Sequence, residues 1–117
     1  MKEYMLLIRN RSDHQDNWSD DQHEHFLKAC EQYIGKLKEA HKLISAQPMQ
    51  RRGTMVSGAT DNLHEHSYQE NDEVIVGYYH IRAEDEADAV AIAKQNPEFA
   101  FGQTARLYKS EKNSFKI

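Results

Sequence analysis

Cysteine occurs once in these 117 residues, as Cys30, so an internal disulfide framework is excluded. No apolar run approaches the roughly 20 residues that a membrane-spanning helix needs, and no leader-like segment opens the chain. The expected location is therefore the cytoplasm. Positive charge is also in short supply: 15 Lys and Arg stand against 19 Asp and Glu, a net charge of -4. The basic residues are scattered, and their one adjacent pair, Arg51-Arg52, reads as a solvated turn. A nucleic-acid partner, which requires a clustered basic face, is not expected. The chain also lacks a glycine-rich phosphate loop, a Gly-x-Ser-x-Gly elbow and a zinc-hydrolase helix, which argues against nucleotide-dependent chemistry and leaves no cofactor to expect. There is no linker, repeat or low-complexity segment. A chain of this length forms one domain, expected over residues 1–110 with 111–117 as a tail.

What is present is a pair of strands apolar on both faces. Side chains alternate across a strand. From Glu73 to Ile81 that places Ile75, Gly77, Tyr79 and Ile81 on one face, and Val74, Val76, Tyr78 and His80 on the other. Residues 2–9 repeat the pattern, with Tyr4, Leu6 and Ile8 opposite Met5 and Leu7. A sheet with one wet face should alternate apolar with polar residues, so both faces of this one are expected to be covered. Two helices can cover one face only. The other is expected to pack on a second copy of the chain, giving a homodimer.

The helices carry their own signals. Ser19-Asp-Asp-Gln22 matches a capping box, and Phe26, Cys30, Tyr33, Ile34, Leu37 and Ile44 recur at helical spacing, which predicts a helix from about Asp20 to His41 or Leu43. Gly35 inside it costs ~1 kcal/mol. Beyond Pro48, segments around Met55-Val56 and from Leu63 to Tyr68 flank Gly58-Ala-Thr-Asp61, a hairpin turn. Asp85 caps a second helix that Asn96-Pro97 stops, and Thr104 to Lys109 forms a last strand. This order fits an α+β layer, with helices on one face of an antiparallel sheet. It is the ferredoxin-like plan, and the doubly apolar strands favour its dimeric α/β-barrel form.

Met1-Lys-Glu-Tyr-Met-Leu-Leu-Ile-Arg9 resembles the opening of the YCII-related (DGPF-type) domain family, and Glu73-Val-Ile-Val-Gly-Tyr-Tyr-His-Ile81, with Ala89-Val-Ala-Ile-Ala-Lys94 and Pro97, resembles its second half. The resemblance runs from Met1 to about Lys109. It implies a ferredoxin-like fold, dimerisation through the sheets and, for many members, no assigned activity; one branch resembles dehydrochlorinases. Two departures stand out. Glu65-His66-Ser67-Tyr68 occupies the place of the Asp-Gly-Pro-Phe tetrapeptide, and Asn96 stands where the catalytic branch has an aspartate paired with a helix histidine. His23 matches that histidine. A neutral amide does not stabilise an imidazolium as a carboxylate does, so the dyad of His23 and Asn96 is weakened.

His23 admits two readings. It shares a helix face with Cys30 and Leu37, where an imidazole can serve as acid, base or ligand contact. It also lies where a hydrophobic staple would pair it with Trp18. His25 points away. His64 and His66 alternate on a predicted strand, the spacing of a weak divalent-metal site to which Glu65 or Glu70 could add oxygen, but no Cys/His framework backs it and a wet hairpin face is the better reading. Cys30 falls in the helix stripe, where a thiol behaves as a small buried hydrophobe. Tyr78 and Tyr79 point to opposite faces, one to the core and one to the dimer interface. With His80 they are the expected ligand contacts. Three functions follow: a homodimer binding a small organic molecule between sheet and first helix, an isomerase-like or lyase-like enzyme using His23, and a structural or regulatory partner module.

Overall fold

The computed structural model describes residues 1–11, 13, 16–68 and 73–111; the tail beyond 111 and Glu70 lie outside them. The elements, in chain order, are β1 (Lys2–Arg11), α1 (Asp20–Glu39), β2 (Leu43–Pro48), β3 (Gly53–Ala59), β4 (Asn62–Tyr68), β5 (Glu73–Ala83), α2 (Glu86–Lys94), a 3-10 helix (Pro97–Phe101) and β6 (Thr104–Lys109). Four strands form an antiparallel sheet in the order β2-β5-β1-β6. With α1 and α2 between them, this is the ferredoxin-like α+β plan. The β3-β4 hairpin is an insertion between the adjacent strands β2 and β5, and its two strands pair with each other.

One face of the sheet holds the core. Tyr4, Leu6 and Ile8 of β1 and Tyr79, Ile81 and Ala83 of β5 are buried against Tyr33 and Leu37 of α1 and Ala89, Ile92 and Ala93 of α2. Both helices therefore cover the same face. Met5 and Leu7 point the other way. They pair in register with His80 and Tyr78 of β5 and with Tyr108 and Arg106 of β6, on the face away from α1 and α2.

Simple alternation fails at one point of β5. Ile8 pairs with Gly77 but Arg9 pairs with Ile75, which leaves Val76 as the extra residue of a bulge. The face assignment read from the sequence is corrected there. Val74 becomes buried on the helix side opposite Asn10, Val76 packs against the core, and Ile75 joins Arg9 on the open side. Such a one-residue step reverses every side chain beyond it.

The second correction concerns the end of α1. The helix stops at Glu39 and Ile44 belongs to β2, not to the helical stripe. The terminator is a Schellman arrangement: His41 N–H donates to Lys38 O at 3.0 Å and Lys42 N–H to Leu37 O at 2.9 Å. His41 takes the left-handed conformation (φ 59°) that glycine usually supplies. At the other end the capping box forms as expected, with Gln22 N–H donating to Ser19 Oγ and Ser19 N–H to Gln22 Oε1.

Gly35 lies within α1 with nothing near the position a Cβ would take. Replacing Gly35 by Ala is expected to stabilise the fold by about 0.5–1 kcal/mol, because only helix propensity and unfolded-chain entropy change. A urea midpoint that falls would show that the open space at Gly35 is occupied in solution.

Just past the Schellman turn, Lys42 Nζ donates to both carboxylate oxygens of Asp88 in α2, at 3.2 and 3.1 Å. Asp88 also accepts from Glu84 N–H at 2.9 Å. That backbone hydrogen bond and then Lys42 hold the Asp88 carboxyl below its ordinary value of 3.8. A carboxyl depressed in the folded state stabilises above its unfolded pKa and ceases to as pH falls through the folded value. Asp88→Asn should therefore lower Tm at pH 7, and the difference from wild type should shrink on acidification below about pH 4. Thermal melts across that range test it; a pH-independent difference would rule the charge out as its source.

Candidate functional site

Three α1 residues at helical spacing, Phe26, Cys30 and Ile34, face the β2-β5 end of the sheet without filling the gap to it. The result is a cleft of about 240 Å³, floored by Ala46 of β2 and Val76, Gly77 and Tyr79 of β5. Leu27 and Glu31 continue its α1 wall, Gln47 and Pro48 form its rim, Tyr78 borders it, and Glu98 enters from the 3-10 helix. The Val76 bulge contributes to this space, since it directs a β5 side chain toward the cleft. Gly77 is required by the close approach of β2: a Cβ there would meet Gln47 O at 2.9 Å.

Hydrogen bonds link Tyr79, Glu98 and Asn96 at the cleft. Tyr79 Oη donates to Glu98 Oε2 at 3.0 Å. The Tyr79 ring meets Tyr33 edge-on, centroids 5.5 Å apart, and Tyr33 Oη donates to Ile92 O at 2.8 Å. Glu98 N–H donates to Asn96 Oδ1 at 2.9 Å, so the Asn96 cap fixes the backbone that carries the carboxylate. Burial first, and then the Glu98 charge, push both phenols well above the ordinary tyrosine range. The same two causes push the Cys30 thiol up to about 12. Thiol and phenols thus stay neutral, and Tyr79 keeps the proton it donates.

An aromatic cluster joins the 3-10 helix to the start of α1. Trp18 lies 5.1 Å from Phe26 and 5.0 Å from Phe101, and Phe26 meets Phe101 edge-on at 5.1 Å. Through Phe101 this cluster anchors the short helix carrying Glu98. The Trp18 and His23 rings lie 6.2 Å apart, as the staple requires.

The residues expected from the sequence are dispersed. His23 is exposed and outside the cleft lining, as is His25. Asn96 is 2% exposed and occupied as a cap, with its Nδ2 left without a partner. Tyr78 and Tyr79 both border the cleft, but only Tyr79 reaches Glu98. His80 belongs to the open face, where Nε2 lies 2.9 Å from Glu3 Oε1, close enough to pair when protonated though not aligned as a hydrogen bond. His64 and His66 share an exposed hairpin face, across from Ser57 and Met55. Among the described residues no group of three or more His, Cys, Asp or Glu side chains is placed to hold a metal ion.

Glu98 is the residue that sequence reasoning missed. Asn96-Pro97 reads as a helix stop, yet Asn at a cap with Pro next to it equally marks a helix start. The first turn of such a helix is where an acidic residue belongs.

The model of the YCII-related domain matches residues 2–110. The chain belongs to that family. No curated protein matches this YCII-related chain. Its two departures from the family pattern fall in defined places: Glu65-His66-Ser67-Tyr68 lies in β4 of the inserted hairpin, and Asn96 caps the 3-10 helix. No helix among its described residues is long and apolar enough to cross a membrane.

Proposed function

We propose that this YCII-related protein is a cytoplasmic homodimer in which each protomer binds a small, largely apolar organic molecule in the cleft between α1 and the β2-β5 end of the sheet. The observation that carries the reading is the cleft itself: apolar walls converging on the hydrogen-bonded pair of Tyr79 and Glu98. Apolar concavities with a few convergent polar groups are the usual form of small-ligand sites. A cavity of about 150 Å³ admits benzene, so one of 240 Å³ suits a ligand of about ten non-hydrogen atoms. An unfilled cleft also favours binding over a purely structural module.

The dimer reading rests on the sheet face away from α1 and α2. Met5, Leu7, Ile75 and Tyr78 lie there half-buried, and Tyr108 is 53% exposed. A second copy of the same face would remove these groups from water. Acid–base chemistry of the isomerase or lyase kind is the alternative function, favoured by a carboxylate that a phenol holds inside an apolar cleft. In that reading Glu98 takes the role expected of His23, with Asn96 positioning it.

Native mass spectrometry of the untagged protein tests assembly and binding together. The expected spectrum is a dimer that gains one 3-phenylpropanol per protomer, while Ile34→Trp, which fills the cleft, keeps the dimer and loses the adduct. A monomer would remove the assembly, and an adduct that survives Ile34→Trp would remove the cleft.

A further inference from the structure

The cleft does not end at Pro48. A second depression of about 220 Å³ adjoins it and shares Phe26, Pro48, Val76 and Glu98 with it, while Met49, Gln50 and Arg51 complete its lining. The shared residues make the two into one groove with two lobes, and the bulged Val76 borders both. Each lobe alone is smaller than the roughly 300–1,000 Å³ usual for small-molecule sites, whereas the joined groove falls within that range. We infer that the ligand class is an elongated, uncharged amphiphile of about fifteen to twenty non-hydrogen atoms, with its apolar body in the first lobe and a hydrogen-bonding end in the second. The inference rests on the binding reading above and adds the length and charge of the ligand.

The second lobe is held by contacts of its own. Met49 N–H donates to Val76 O at 2.9 Å, which fixes the chain where it leaves β2, and Arg51 donates to Asp16 Oδ1 at 3.0 Å. Phe26, on the wall common to both lobes, packs on Trp18 and Phe101. The chemistry of the lining changes along the groove. Cys30, Ile34 and Ala46 belong to the first lobe only, and Gln50 and Arg51 to the second only. The Gln50 side-chain amide offers two donors and an acceptor. Glu98 and Arg51 are both engaged within the chain, the one by Tyr79 and the other by Asp16. Neither therefore calls for a counter-charge on the ligand, and a charged ligand would lose hydration among the apolar walls without a dedicated partner. A hydroxyl exchanges hydrogen bonds to water for hydrogen bonds to an amide at little net cost.

Isothermal titration calorimetry at pH 7 with 3-phenylpropanol and 6-phenylhexanol reads the second lobe. The added methylenes are expected to raise affinity at least about tenfold, since each one buried is worth about threefold. Met49→Trp changes an exposed residue that lines the second lobe and not the first. It should bind 3-phenylpropanol as the wild type does, which also shows that it folds, and should hold the gain from the longer alcohol below about threefold. With the wild type, 6-phenylhexanoate and 6-phenylhexylamine should both bind more weakly than 6-phenylhexanol. Equal affinity for the short and long alcohols, a gain that persists in full in Met49→Trp, or a charged analogue that binds tighter than the alcohol would overturn the inference while leaving a cleft that binds. If neither alcohol binds, the binding reading fails with it.

Discussion

At pH 8 the folded protein is expected to react with a thiol-specific disulfide reagent at least about thirtyfold more slowly than the unfolded chain. The roughly thousandfold loss of thiolate is partly offset by the greater nucleophilicity of the more basic thiolate. Cys30 is the only cysteine, so the reaction reports one position. It lies in α1 against the cleft, where burial and then the Glu98 charge raise the thiol from 9.0 to about 12. The thiolate is the reacting species, and its share at pH 8 falls from roughly one in ten to about one in ten thousand. Stopped-flow labelling in buffer and in denaturing urea gives the ratio directly. Labelling of the native protein within about tenfold of the unfolded rate would mean that Cys30 is solvated, and that the α1 wall of the cleft does not hold in solution. A bound ligand should slow the reaction further, because it takes the space through which the reagent must approach.

The second large effect is thermodynamic. Ile81→Ala is expected to lower stability by about 3 kcal/mol, a urea midpoint shift of roughly 2 M for a slope near 1.5 kcal/mol/M. Ile81 is fully buried at 0% exposure, pairs with Tyr4 on one side and Leu43 on the other, and belongs to the cluster that joins β1 and β5 to both helices. Truncation there removes buried methyl groups from a site walled by strands, which have little freedom to close the cavity. His25→Ala, on the exposed side of α1, should move the midpoint by less than about 0.5 M. Both titrations are run at one protein concentration, because the stability of the proposed dimer would depend on it. A shift for Ile81→Ala no larger than that for His25→Ala would contradict the core described here.

Most of this architecture follows from local chemistry that the sequence displays. The Ser19 and Asp85 caps, the Gly58 to Asp61 turn and the doubly apolar β5 each state an element and one of its ends. Two elements were hidden by imitation. Ile44 falls seven residues after Leu37 and so continues the helical stripe, while the actual stop is His41 in a left-handed conformation, a position where glycine would have been legible and histidine is not. The 3-10 helix was hidden because Asn96-Pro97 ends one helix and starts another at the same residues.

The site was less legible than the fold for a related reason. Histidines draw attention as acid–base groups, and His23, His64, His66 and His80 are spread over a helix end, a hairpin and the open sheet face. The cleft's polar chemistry instead comes from Tyr79 and Glu98, which are 19 residues apart and meet only because the 3-10 helix returns to the sheet. Tyr79 was expected as a ligand contact; no local pattern names its partner. The Val76 bulge has the same character, since register is decided between strands, not within one.

Chemical-shift mapping with 3-phenylpropanol on isotopically labelled protein tests the central claim, that the cleft between α1 and the β2-β5 end of the sheet is a binding site. Saturable shifts centred on Phe26, Cys30, Ile34, Ala46 and Val76 are the result expected. Shifts that do not saturate, or that centre on the open face around Met5 and Tyr108, would contradict it.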